Sequence, residues 1–195
     1  ELLVFDSFST PSAGQELRLQ AETITGKKVK YLINSHFHGD HVFGNDSFKD
    51  TTIISTSLTR EWFKEKNRMT NLDSEIKETE SYLEELQRKI DRTEETIIKE
   101  SLKHQYSEMK KVLGDLPILK LVLPSLIFEE RLTIEGSKRK IELYCLGGGH
   151  TPSDTFMYIP EEKVAFMGDL ATEKLHVPIY NPVVFRRILT KVKSM

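Results

Sequence analysis

Asn34-Ser-His-Phe-His-Gly-Asp-His-Val-Phe-Gly-Asn45 is the stretch on which the reading of this chain turns. Four side chains able to ligate a metal, His36, His38, Asp40 and His41, fall within six consecutive residues. In an extended segment residues i and i+2 point to the same side, so His36 and His38 can grip one ion together. Gly39 is expected to let the chain turn sharply, so that Asp40 and His41 aim at a neighbouring position. A helical zinc motif, with two histidines four apart, is a different arrangement.

Two later segments repeat the logic. Leu143–Leu146 reads as the end of a strand, and Gly147-Gly148-Gly149-His150-Thr151-Pro152 follows it. Val164–Met167 reads as a strand, and Gly168-Asp169 follows it. Each ligand group thus sits just past a strand end, where rigid structure can aim loop residues. The three glycines allow close approach of the backbone to a crowded centre. They are not a phosphate loop, because no Gly-Lys-Ser/Thr follows. Of the remaining histidines, His104 reads as a surface residue. His176, in His176-Val-Pro-Ile-Tyr180 close behind Asp169, belongs either to a pocket wall or to a surface loop.

Outward from these loops the chain reads as strands on both sides of helices, a layered α+β pattern. Strands are predicted at Leu2–Phe5, Val29–Ile33, Thr52–Ile54, Leu119–Leu123, Leu126–Phe128, Leu132–Ile134, Lys140–Leu146, Thr155–Tyr158 and Val164–Met167. A helix begins at Thr10-Pro11, with Pro at the first helical position, and closes at Gly26. Another spans Pro182–Val192. Between Asn45 and Leu113 there is neither Gly nor Pro, and Ile76, Leu83, Ile90 and Ile97 repeat every seven residues. This predicts a helical insertion over about 57–113, folded as a hairpin because a narrow apolar stripe wants a partner. Trp62 and Phe63 are expected to anchor its base, and Gly114 and Pro117 to end it. The segment reads as a self-packed hairpin, a lid, or an arm for a homodimer. Lys138-Arg139-Lys140, after Gly136-Ser137, reads as a solvated hairpin turn.

With 28 basic and 30 acidic residues, the formal net charge is -2, which gives no field to steer a nucleic acid. No apolar run is long enough to span a bilayer. Cys145, the only cysteine, reads as a small core residue; the lone thiol fits a reducing compartment, and the expectation is cytoplasmic.

At these residues the sequence resembles the metallo-β-lactamase superfamily of metallohydrolases. The shared pattern is the His-x-His-x-Asp-His run at His36, His38, Asp40 and His41, the Gly-His-Thr at His150, the Gly-Asp at Asp169, and Asp6 after the first strand. The resemblance implies an αββα sandwich within one domain over 1–195, with two metals at one edge. It implies His36, His38 and His150 as ligands of the first metal, Asp40 and His41 of the second, and Asp169 as the bridge. Zinc is the implied metal, with iron or manganese as alternatives. The implied chemistry is a metal-bound hydroxide, oriented by Asp40, attacking a small-molecule ester, thioester or amide-like substrate. Asp169 resembles the glyoxalase II-type thioesterases, since cysteine-containing lactamases carry Cys there. True β-lactamase activity is the alternative, and a non-catalytic metal-binding or interaction module is another. The family's last His follows Asp169 by several dozen residues, after a further helix and strand. No residue here stands in that place, and the family's opening strands are not recognisable before Glu1. The expectation is therefore a piece of a longer chain, lacking its C-terminal metal-ligand segment.

Overall fold

The computed structural model describes residues 1–66, 71–173 and 176–195. Two four-stranded sheets form the centre. The first is β1 (Leu2–Phe5), β2 (Val29–Ile33), β3 (Thr52–Thr56) and β4 (Leu126–Phe128), in that order and all parallel. The second is β5 (Arg131–Glu135), β6 (Lys140–Cys145), β7 (Thr155–Ile159) and β8 (Val164–Phe166), all antiparallel.

Strand alternation sends neighbouring side chains to opposite faces, and the core divides accordingly. Ile33 and Ile54 of the first sheet meet Leu143 and Met157 of the second, with Phe128 among them. On the outer face of the first sheet, Val4, Leu32 and Ile53 pack with Phe48 and with Leu17 and Ala21 of α1 (Pro11–Thr25). On the outer face of the second, Tyr144, Phe156 and Tyr158 pack against Ile188, Val184 and Val192 of α6 (Pro182–Lys193). The layers are therefore helix, sheet, sheet, helix, as expected. Side chains at the helix starts satisfy free N–H groups: Thr10 accepts from Ala13 N, and Asn181 from Val183 N and Val184 N.

Between β3 and β4 lie α3 (Ser57–Glu65), α4 (Leu72–Arg92) and α5 (Thr96–Asp115). The last two form the expected hairpin; residues 67–70 of the predicted stretch lie outside the described residues. Leu83, Leu86 and Ile90 are buried in it. The seven-residue stripe stops there. Ile97 is 79% exposed, because the turn at Thr93–Glu95 breaks the register before α5 starts. Phe63 is fully buried beside Val42 and Phe43, while Trp62 is only half-buried, with its ring edge-on to Phe37.

Two local expectations need correcting. Leu119–Leu123 is extended but joins no sheet. Its alternate residues split between two cores, Leu119 and Leu123 against Phe43 and Phe63, and Val122 against the α1 side. Pairing resumes only at Ser125, whose N–H donates to Ile53 O, since Pro124 has no N–H to give. Gly114 does not end α5, which runs on to Asp115. The Lys138–Lys140 turn is as expected, closed by Gly136 N–H donating to Arg139 O, with Arg139 paired to Glu162. Among the described residues no helix is long and apolar enough to cross a membrane.

Candidate metal centre

The loop after β2 is held from below by a buried polar cage. Asn45 donates from Nδ2 to Asn34 Oδ1 (2.9 Å) and Val122 O (3.0 Å), and its Oδ1 accepts from Asn34 Nδ2 and Ser7 Oγ. Both asparagines are fully buried, so the cage keeps every amide hydrogen bond inside the protein. Ser35 O accepts from Thr155 N (2.8 Å), which ties the loop to the second sheet. Gly39 opens the short helix α2 (Gly39–Val42), and its role differs from the expected sharp turn. Its φ is not left-handed; a Cβ there would lie 2.3 Å from the Phe43 ring.

His150 is placed by Asp154, whose carboxylate accepts from the N–H groups of Gly149 (2.6 Å), His150 (2.7 Å) and Thr151 (2.9 Å). Gly148 makes this tight loop possible: φ is +70, and a Cβ would fall 2.0 Å from Thr151 O. Asp169 lies in a short 3-10 turn just past β8.

These three loops bring all six expected ligands together. His36 Nε2 lies 3.0 Å from His38 Nδ1, which is 3.1 Å from His150 Nε2. Asp169 Oδ2 is 3.4 Å from His150 Nε2 and 4.0 Å from His36 Nε2. A second group has His41 Nε2 3.4 Å from Asp40 Oδ2 and 3.3 Å from Asp169 Oδ1. Asp169 thus offers one oxygen to each group. In a tetrahedral zinc site with bonds of about 2.0–2.2 Å, neighbouring donors sit about 3.4 Å apart. The donor spacing and the imidazole–carboxylate chemistry fit such an ion.

Outer partners on Nδ1 turn Nε2 inward on three rings. The Asp6 carboxylate accepts from Ser35 N (2.7 Å), Ser35 Oγ (2.8 Å) and His41 Nδ1 (2.8 Å). Ser35 Oγ spends its only proton on Asp6, so it accepts from His36 Nδ1 at 3.0 Å. His150 Nδ1 donates to Pro178 O (2.7 Å). In each case Nδ1–H points outward and Nε2 faces the centre; on His41 that Nε2 carries a proton shared with Asp40 and Asp169, which a bound ion would displace. Asp6 itself sits in the left-handed region (φ 62), as does Phe8 (φ 66), so the loop that supplies this carboxylate carries backbone strain.

The electrostatics match a cation site. Burial, with His41 and His38 close by, pushes His36 down to about 2, and burial also lowers His38. Both rings are neutral near pH 7. Burial alone would depress His41, but hydrogen bonds to Asp169, Asp40 and Asp6 outweigh it and raise it to about 12. Asp169 is lowered, chiefly by its hydrogen bond from His41. Asp40 lies at about 2 although burial opposes ionisation, because His41 holds its charged form. That burial counts for less than on His36, as 66% of the Asp40 side chain faces solvent.

Sequence reasoning missed Asn34, Ser35, Asn45, Ser7 and Asp154. Asp154, four residues after His150, was the one with a readable signal: an acid following a Gly-rich turn can accept several turn N–H groups. His176 is exposed; its segment meets the centre through the Pro178 carbonyl on His150 and the Tyr180 N–H, which donates to Gly149 O. Cys145 packs beside the intersheet core, and burial raises its thiol.

Solved structures share the fold. A metallo-beta-lactamase from Pontibacter korlensis matches with TM-score 0.57 at 13% identity, over 99% of this chain and 82% of that one. Metallo-beta-lactamase IND-7 matches with TM-score 0.60 at 16% identity, over 98% of this chain and 67% of that one. DIM-1 metallo-beta-lactamase matches with TM-score 0.55 at 14% identity, over 89% of this chain and 56% of that one. This chain therefore spans little more than half of DIM-1. The cluster of histidines and aspartates fits a metal-dependent hydrolase, and with residues 1–193 matching the family described as the metallo-beta-lactamase superfamily, the chain belongs to that superfamily.

Proposed function

We propose that this chain is the metal-binding part of a hydrolase acting on a small ester, thioester or amide-like substrate. The observation that carries the reading is the convergence of three loops on two donor groups sharing Asp169. His36, His38, His150 and Asp169 would hold one ion, and Asp40, His41 and Asp169 a second. When bound, a pair of zinc ions would polarise a carbonyl oxygen and lower the pKa of a water molecule.

The remaining work falls to the chain's own groups. Asp40, ionised and largely in solvent, accepts a hydrogen bond from a water molecule and orients it towards the substrate. Asp6 keeps the His41 ring fixed through Nδ1, and Pro178 O does the same for His150. Ser35 and Asp6 join His36 and His41 in one hydrogen-bonded unit, so neither ring rotates when substrate arrives. The helices at 57–115 are read as an insertion that borders the centre rather than as part of its ligand set.

The test is to count zinc, iron and manganese per chain by mass spectrometry after purification without added metal, then to assay the loaded chain against ester, thioester and β-lactam chromogens. About two ions per chain with ester or thioester cleavage that Asp40→Ala lowers at least a hundredfold supports the reading. Metal without cleavage of any substrate overturns it in favour of a metal-binding module, and no bound metal in favour of an interaction module. β-Lactam cleavage alone selects the second reading, true β-lactamase activity.

A further inference from the structure

A cavity of about 430 Å³ opens beside the two donor groups. His38 and Asp40, one donor from each group, form one edge. The opposite wall comes from the helical hairpin: Met109 and Val112 lie three residues apart on one face of α5, and Leu116 follows the helix. Phe37 and Phe43 extend the apolar lining; Ser9, Lys66 and Glu75 also border the cavity, and away from the donors the apolar side chains outnumber these polar ones. The volume falls within the range of small-molecule sites. A polar edge at the donors and an apolar body beyond them match a molecule with one reacting polar group and one greasy group.

We infer that this cavity is an acyl pocket: it takes the apolar acyl part of a carboxylic ester or thioester whose carbonyl lies at the His38–Asp40 edge. The inference rests on the hydrolase reading and names its substrate class. Hydrolysis there consumes one water: the acyl carbon–oxygen or carbon–sulfur bond breaks, the carbon takes the water oxygen, and the leaving group departs with a proton. Specificity resides in α5, outside the metal loops. Met109 and Val112 are half-buried on a helix with no fully buried residue, so their side chains can change without emptying a core.

The chain carries its own reporter. Trp62, its only tryptophan, has its ring 5.1 Å from that of Phe37 in the pocket wall. The experiment has two arms. In the first, the zinc-loaded chain is assayed with p-nitrophenyl acetate, butyrate and hexanoate. Each added methylene should raise kcat/KM about threefold until the pocket fills. In the second, Trp62 fluorescence follows binding of uncharged acetamide and hexanamide, which needs neither metal nor turnover. Hexanamide should bind at least tenfold more tightly. Val112→Ser should collapse both preferences towards unity, and Val112→Phe, which fills space, should reverse them towards the shorter chain.

Equal binding of the two amides, or a preference that neither variant moves, overturns the pocket. Cleavage of all three esters at equal rates with equal amide binding does so while leaving the hydrolase reading intact. A hexanamide preference that responds to both variants, without cleavage of any ester, thioester or β-lactam, upholds the pocket and overturns the hydrolase reading.

Discussion

Asp6 shows how much one residue can organise. Its carboxylate accepts three hydrogen bonds and fixes His41 directly and His36 through Ser35. Asn tolerates the same left-handed backbone, so Asp6→Asn should fold normally yet loosen His41. Zinc affinity at the Asp40–His41 group should fall about 10–100-fold, with the other group less affected, as read by chelator competition. Asn45→Ala should strand the Asn34 amide and cost about 2–3 kcal/mol in urea unfolding, because a buried polar group loses its partners. Glu142, far from the centre, gives a pH prediction. The Tyr144 hydroxyl, ahead of Lys140 and Arg131, holds its carboxyl at about 2, against an ordinary 4.5. A lowered carboxyl contributes stability that is full above about pH 4.5 and is lost as pH falls towards 2. Arg131 and Lys140 reach solvent, so the contribution is discounted to about 1–2 kcal/mol. Glu142→Gln should therefore unfold earlier in urea at pH 7, with the gap closing between pH 4.5 and 2.

At the scale of elements, the helical hairpin divides into a packed stem and a solvated tip. Leu86 is 1% exposed, whereas Ile97 is 79% exposed. Leu86→Ala should cost about 2–4 kcal/mol through lost contacts and a cavity. Ile97→Ala should stay within about 0.5 kcal/mol. Because the hairpin packs mainly on itself, Leu86→Ala should accelerate amide exchange in α4 and α5 before it affects β2, β6 or β7. Of the charge pairs that sequence spacing offers along α4, Glu85–Lys89 closes at 2.7 Å in solvent, a contact of small energy.

At the scale of the whole molecule, the donor groups lie across the joint between the two sheets. His36, His38, Asp40 and His41 follow β2 of the first sheet; His150 and Asp169 follow strands of the second. An ion bound there clips the sheets together and stabilises the folded state by mass action. At a hundredfold excess over its dissociation constant, this amounts to about 2.7 kcal/mol. For a chain of this size, zinc should raise Tm by about 5–10 °C and a chelator should reverse it, as read by calorimetry. Substituting His150 with Ala should remove most of the zinc-dependent rise, since one of the two sheets would then keep only Asp169.

Much was legible in the sequence because it is locally encoded. The apolar runs around Leu32-Ile33 and Ile53-Ile54, the Thr10-Pro11 helix start, the helix from Pro182, and the crowding of His36, His38, Asp40 and His41 are short-range patterns with a physical meaning in a few residues. A layered α+β domain and the donor residues follow from them; the αββα order came from the family resemblance. What only tertiary structure decided involves partners far apart in the chain. Leu119–Leu123 has the composition of a strand, but the hydrogen-bonding row it needed is taken up only from Ser125, so it packs as an extended tether. Ile97 keeps the heptad spacing, but the turn before α5 rotates it into solvent. Asp6 reaches His41 across 35 positions and His38 reaches His150 across 112, distances over which no periodicity carries information. The apolar wall of the cavity likewise exists only because α5 folds back over the metal loop, bringing Met109 and Val112 opposite His38 and Asp40. Side-chain type along the chain set which atoms could meet; loop closure between the two sheets and the hairpin set which ones do.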